Sequence, residues 1–200
     1  MNKDNLAQIL EFCKLIDREK FIQRKTYLTG GERWENDAEH AWHLAVMALL
    51  LGGCANGKVD TFRVMGMVLI HDLVEIYAGD TFAYDYKGME SQQQREAEAA
   101  DRLYSQLPDE QSALLRGLWE EFNANETPES RFANTLDKFQ PLQQQAITNG
   151  KAWTEMGRKF SEVYRRTSPI AQGSQALWDY ALEEILEPQM AKGHLKDDRE

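Results

Sequence analysis

The sequence predicts an all-α domain, and three observations carry that expectation. Apolar residues recur at three- and four-residue steps through most of the chain. Segments that alternate apolar and polar residues, the mark of half-buried strands, are missing. Capping residues, prolines and glycines stand where the periodic runs begin and stop.

Taken in order, NLAQILEFCKLIDREKF sets Leu6, Ile9, Leu10, Cys13 and Ile16 on one helical face. The polar stretch IQRKTYLTGGERWEN, with its glycine pair, reads as a loop. A second helix opens near Asn36 or Asp37 and continues through AEHAWHLAVMALLLGG to the glycines. Asp60 suits the cap of a third helix, which carries VMGMVLIHDLVEIYAG and stops at Gly79. TFAYDYKG follows as a loop and MESQQQREAEAADRLYSQL as a polar, surface-type helix. Pro108-Asp109 starts EQSALLRGLWEEFNA. Thr127 as cap, with Pro128 at the first helical position, begins ESRFANTLDKFQPLQQQAI, where Pro141 is expected to bend or break the helix. Helical segments are expected around 151–166 and 173–187, and AKGHLKDDRE reads as a loose polar tail. The expectation is one domain over residues 1–190 with a tail at 191–200. Trp119, Phe122, Phe132 and Phe139 fall at helical spacings and read as core.

Composition excludes several classes. With 42% hydrophobic and 28% charged residues the chain matches an ordinary globular protein. A net charge of −10 argues against nucleic acid as a partner, although a local basic cluster can still hold a small anion. LAVMALLLGGCA is the longest apolar stretch, short of the ~20 residues that span a bilayer, so no membrane association is expected. The N-terminus shows no secretory signal, and Cys13 and Cys54 match no metal or redox spacing. Free thiols in a reducing, cytoplasmic setting are the expectation.

His71, Asp72 and Glu75 interrupt an otherwise apolar run, and ionisable groups in such a place need a partner or a metal. At helical spacing His71 and Glu75 share a face, as do Asp72 and Glu75. An imidazole beside a carboxylate is half of a divalent-metal site. His40 and Asp137 lie in similarly apolar surroundings on other helices, so three helices could aim His40, His71, Asp72 and Asp137 at one point. The same residue types also fit a hydrogen-bonded core pair, and Asp137 alone fits an ion pair or a cap. His43 reads as a packing or hydrogen-bonding residue, and His194 as solvated.

Taken together, RKTYLTGGERWENDAEH, HDLVEIYAGD and LLRGLWEEFNANETPESRFANTLDKFQPL resemble the HD-domain metal-dependent phosphohydrolases, most closely their 5′-deoxynucleotidase branch. The resemblance runs from about residue 6 to about residue 150 and implies a single-domain helical bundle of the HD-domain type. It places the metal-site core at about 22–150, with C-terminal helices over 151–190. It further implies one divalent ion (Mn, Co or Mg) held by His40, His71, Asp72 and Asp137. Glu75 and Asp80 match catalytic positions. Arg24 matches the arginine that orients the phosphate, with Lys25 beside it as a further candidate for substrate binding, and Asp80, Thr81, Phe82 and Ala83 match the nucleoside-contacting loop. A nucleotide substrate, hydrolysis of (2′-deoxy)nucleoside 5′-monophosphates and a homodimer follow as expectations. Lys25 stands where that branch carries a Trp, and the loop before His40 is one residue longer, which leaves sugar and base preference open. With four histidines in all, the dinuclear phosphodiesterase pattern does not fit. Ile76 stands where alarmone hydrolases carry an acidic residue. A metal-bearing nucleotide sensor with vestigial activity, and hydrolysis of nucleoside triphosphates or alarmones, are the alternatives.

Overall fold

Helix α7, Pro128–Ile147, is the element around which the others assemble. The computed structural model describes residues 2–82, 84 and 86–199. Thr127 accepts from the backbone N–H of Ser130, whose hydroxyl returns to the Thr127 N–H, so α7 starts at a closed capping box. Phe132, Leu136 and Phe139 point from α7 into the core and are almost fully buried. Pro141 neither ends nor divides the helix. It supplies no N–H, so the Asp137 carbonyl loses its helical donor. Buried Phe139, Gln140 and Leu142 on either side supply packing that holds the turn helical.

Ahead of α7 come α1 (Lys3–Leu15), a 3₁₀ turn (Ile16–Phe21), strands β1 (Gln23–Tyr27) and β2 (Trp34–Asn36), and helices α2 (Asp37–Leu51), α3 (Thr61–Ile70), α4 (Glu75–Ala78), α5 (Tyr86–Tyr104) and α6 (Asp109–Ala124). Behind it lie α8 (Lys151–Met156), α9 (Phe160–Thr167), α10 (Ile170–Gly173), α11 (Gln175–Tyr180), a π-helical turn (Ala181–Leu186) and α12 (Glu187–Ala191). Helical packing thus dominates, as expected. Among the described residues no helix is long and apolar enough to cross a membrane.

The structure corrects the sequence reading in four further places. The expected loop before α2 is an antiparallel hairpin, in which Gln23 pairs with Asn36 and Tyr27 with Trp34. Its strands are short and irregular in register, so no clean alternation marks them. Tyr27 and Trp34 stack with ring centroids 3.9 Å apart, which pins the pair from its side chains. The third helix does not run on to Gly79: α3 stops at Ile70, residues 71–74 coil more tightly, and α4 resumes at Glu75. Bonds from the Leu73 N–H to the Ile70 carbonyl and from the Glu75 N–H to the Asp72 carbonyl, three residues apart, carry that turn. The surface-type helix α5 buries Ala99, Ala100, Leu103 and Tyr104. The tail, finally, is docked. Leu195 is buried in the core, the Phe160 N–H donates to the Lys196 carbonyl, and the Lys196 N–H donates to the Arg158 carbonyl.

Apolar burial divides into two clusters. One joins α2, α3, α7 and the C-terminal helices through Leu44, Met67, Phe132, Phe139 and Trp178. The other joins α1, α4, α5 and α6 through Phe12, Leu73, Val74, Leu103 and Trp119. Val68 belongs to the first and Ile70 to the second, so the tight turn at 71–74 lies on the seam.

α10 packs against α7 at its closest at Gly173, where an added Cβ would sit 2.4 Å from the Arg131 carbonyl oxygen and 2.5 Å from Thr135 Oγ1. Backbone cannot yield as a flexible side chain can. Gly173→Ala is therefore expected to destabilise the fold by about 1–3 kcal/mol, read as a lower urea midpoint. An unchanged midpoint would show that α10 shifts freely.

Candidate metal centre

Two histidines anchored from behind define the site. On α2, Asn36 caps the helix with Glu39 in a reciprocal capping box, and Asp37, His40, Ala41 and Leu44 form its buried face. His40 Nδ1 lies 3.0 Å from Gln140 Oε1. Gln140 Nε2 donates to Glu35 Oε2 at 2.9 Å, which orients the amide so that its oxygen faces His40. His40 Nδ1 therefore carries the proton, and Nε2 turns a lone pair toward Asp137 Oδ1, 3.2 Å away. At the end of α3, His71 Nδ1 lies 3.0 Å from the Val68 carbonyl, an arrangement that again leaves Nε2 to face inward. His71 Nε2 lies 3.1 Å from Asp72 Oδ2 and 3.7 Å from Asp137 Oδ1. It is buried without a well-directed hydrogen bond.

The donor set fits a divalent cation. A neutral imidazole lone pair and a carboxylate oxygen 3.2 Å apart repel unless positive charge sits between them. Burial, then the Arg24 charge, pulls the His40 imidazole down to about 4, so it is neutral at pH 7. Burial also opposes charge on His71, but Asp72 and Asp137 outweigh it and raise that imidazole to about 10. The seam thus favours a cation, in whatever form it comes. His40, His71 and Asp72 each offer an atom within 4.8 Å of the others, and Asp137 reaches both imidazoles. Nitrogen and oxygen donors of this kind suit a divalent cation.

Around this set the charge is mostly negative. Arg24, on β1, donates from Nη1 to Asp72 Oδ2 at 2.7 Å and lies 3.4 Å from Asp37 Oδ1. Its Nε is 3.6 Å from Glu35 Oε1 and its Nη2 3.8 Å from Asp137 Oδ1. Glu35 and Asp37 are carboxylates that the sequence reading passed over, because the segment read as loop and cap. Both are almost fully buried. Burial pushes Glu35 up to about 7, against the pull of Arg24. Glu75 and Asp37 are close enough to share a hydrogen bond, and one oxygen of each lacks any donor. Burial first, then Asp72 and Asp37, raises Glu75 far above the usual carboxylate range. Glu75 is therefore protonated at neutral pH.

Asp80 and Thr81 follow Gly79, whose φ of 74° turns the chain out of α4. Arg95, unremarked in the sequence, pins this bend by donating to the Ala78 carbonyl and to Thr81 Oγ1, each at 2.6 Å. Asp80, Thr81 and Phe82 line a cleft, open at its mouth, together with Arg24, Lys25, Asp137, Tyr84 and Trp153. Ala83 lies outside the described residues. Lys25 Nζ sits 5.6 Å from the Trp34 ring centre, beside the Tyr27 stack, so Trp34 is already covered on one face. Arg33 pairs with Glu39 at 2.6 Å and is committed elsewhere. His43 bonds to Gln140, in keeping with its reading as a hydrogen-bonding residue. His194, read as solvated, instead lies against Gln189.

Gln140 is the anchor that the sequence concealed. Gln140→Leu is expected to weaken divalent-metal binding by about 10–100-fold, measured by titration with a fluorescent competitor. Unaltered affinity would show that His40 keeps its orientation without the amide.

Comparison with known proteins agrees with this geometry. The HD domain family model matches residues 16–178. A predicted metal-dependent phosphohydrolase from Magnetospirillum magnetotacticum MS-1 superposes with a TM-score of 0.90 at 42% identity, over 96% of this chain and 95% of that one. The 5′-deoxynucleotidase HDDC2 of Xenopus laevis is 29% identical over 68% of this chain and 67% of its own length. Its counterpart in Homo sapiens is 27% identical over 68% and 66%. The chain therefore belongs to the HD domain family.

Proposed function

We propose that this protein is a metal-dependent phosphomonoesterase that hydrolyses 2′-deoxynucleoside 5′-monophosphates to nucleoside and orthophosphate. The observation that carries the reading is the convergence of two anchored imidazoles and two carboxylates at the floor of a cleft lined with cations and aromatic rings. The relatives called 5′-deoxynucleotidase support the substrate class. His40, His71, Asp72 and Asp137 are the residues that would hold one divalent ion. Such an ion, when bound, supplies a nucleophile at neutral pH and neutralises phosphoryl charge.

The chain's own groups supply the rest. Arg24 stands between the carboxylates and the cleft, where its guanidinium can donate to phosphoryl oxygens. Glu75, protonated in the free protein by burial and its carboxylate neighbours, is the group that moves a proton at the attacking water or at the leaving 5′-oxygen. Positive charge brought to the seam favours its ionised form, so base and acid roles are both within reach. Asp80, Thr81 and Phe82 face the sugar and base, and Phe82 and Tyr84, edge to face at 5.5 Å, offer rings for a base to pack against. Lys25 takes the place of an indole at the cleft edge and adds a charge beside the phosphate.

Two further expectations complete the reading. Free Cys13 and Cys54 agree with a reducing, cytoplasmic setting. Along the outer face of α2, Trp42, Val46, Leu49 and Leu50 form an exposed apolar stripe that a second copy of the chain would cover in a homodimer. Light scattering is expected to give a dimer mass, reduced to the monomer's in Leu50→Glu; a monomeric wild type would end that part.

For the reaction, phosphate release is measured across deoxy- and ribonucleotides with Mn²⁺, Co²⁺ or Mg²⁺ added. Deoxynucleoside 5′-monophosphates are expected to lead, with orthophosphate as product. Glu75→Gln should lower kcat by about 10²–10⁴-fold while metal content persists. Asp72→Ala should lose both. Full turnover in Glu75→Gln would remove that carboxylate from the mechanism, and triphosphate or pyrophosphate as product would replace the substrate class.

A further inference from the structure

The chain carries a net charge of −10, yet five cationic side chains line the cleft against the carboxylates of Asp80 and Asp137. Arg24 and Asp137 belong to the metal-site cage. Lys25, Lys138, Arg158 and Arg166 remain, with Asp80 as their only carboxylate in the lining. Arg166 makes no hydrogen bond or ion pair among the described residues. Its charge acts on both Asp80 and Lys138, and among the described residues Lys138, beside the Asp137 charge, hydrogen-bonds to the Asn134 side chain at 3.2 Å and the Asn134 carbonyl at 3.4 Å. Arg158 lays its guanidinium 4.5 Å from the Tyr84 ring centre and reaches Glu162 only at 3.8 Å. Its Nε is buried without a partner.

Cations that outnumber the carboxylates beside them raise the energy of the free protein and become favourable when an anion arrives. The phosphate that reacts already has Arg24 and the metal-site floor. We infer that Lys138, Arg158 and Arg166 form a second anion subsite, which takes a second phosphate carried by the same substrate. The substrate class is then a phosphomonoester with another phosphate remote from the scissile one, of which a nucleoside 3′,5′-bisphosphate is the simplest nucleotide form. The inference rests on the phosphomonoesterase reading for the group that reacts, but the subsite itself depends only on charge and position.

The test compares 2′-deoxyadenosine 5′-monophosphate with its 3′,5′-bisphosphate on the metal-loaded full chain. It uses kcat/KM for release of the 5′-phosphate and calorimetric affinity in the Glu75→Gln background. The bisphosphate is expected to bind about tenfold tighter than the monophosphate, the size of one charge-assisted contact. That ratio should fall toward one in Arg166→Gln and recover in Arg166→Lys. A wild-type ratio of one or less would overturn the subsite. So would an Arg166→Gln loss equal for both ligands, which would make these cations a general attractor of anions. Tighter, Arg166-dependent binding of the bisphosphate with no hydrolysis of either compound would keep the subsite and discard the phosphomonoesterase.

Discussion

Everything chemical in this protein depends on two hydrogen bonds made away from the reaction. The Nδ1 atoms of His40 and His71 are occupied, one by the Gln140 amide oxygen and the other by the Val68 carbonyl, at 3.0 Å each. With those positions filled, both Nε2 atoms face the carboxylates of Asp72 and Asp137. The bare lone pair of neutral His40 facing a carboxylate is unstable in a low-dielectric seam, and positive charge there, a proton on His71 or a metal ion, is the natural remedy. Affinity for metal thus arises from what the histidines do with their other nitrogen.

The backbone serves that arrangement. Had α3 continued as a regular helix, its apolar stripe would have run on through His71 and Asp72 with one radial direction every 3.6 residues. The tight turn at 71–74 instead sits where one apolar cluster gives way to the other. Leu73 and Val74 enter the second cluster, while His71, 4.8 Å from Phe122 between ring centres, stays against the first. A seam between two cores is a place where polar side chains can be enclosed without displacing apolar packing. Glu35, Asp37, Asp72 and Glu75 all occupy it.

Charge is divided just as sharply. Carboxylates crowd the floor and cations line the approach, although acidic groups predominate in the chain as a whole. Docking of residues 193–199 contributes to this division. Lys196 bonds through its backbone on both sides to the segment that presents Arg158, and so holds the turn between α8 and α9 beside the cleft. The C-terminal helices therefore contribute to the cleft wall through Trp153, Arg158 and Arg166.

Much of this was written locally. Asn36, Asp60 and Thr127 act as caps where their short polar side chains foretell it, and Gly79 ends α4 with the positive φ that a side chain would resist. The residue types of the HD motif point to metal chemistry only in combination with His40 and Asp137, since an imidazole beside a carboxylate also suits a hydrogen-bonded core pair. Such signals are short-range, since they concern one residue and its own helix. The hairpin, the break after Ile70, the uninterrupted helix at Pro141 and the anchored tail were decided by contacts across the molecule. The same holds for the role of Gln140, 100 residues from His40, whose amide reads in sequence as one more polar side chain. Periodicity reports which way a side chain faces; what it meets there is set only when separate helices pack together.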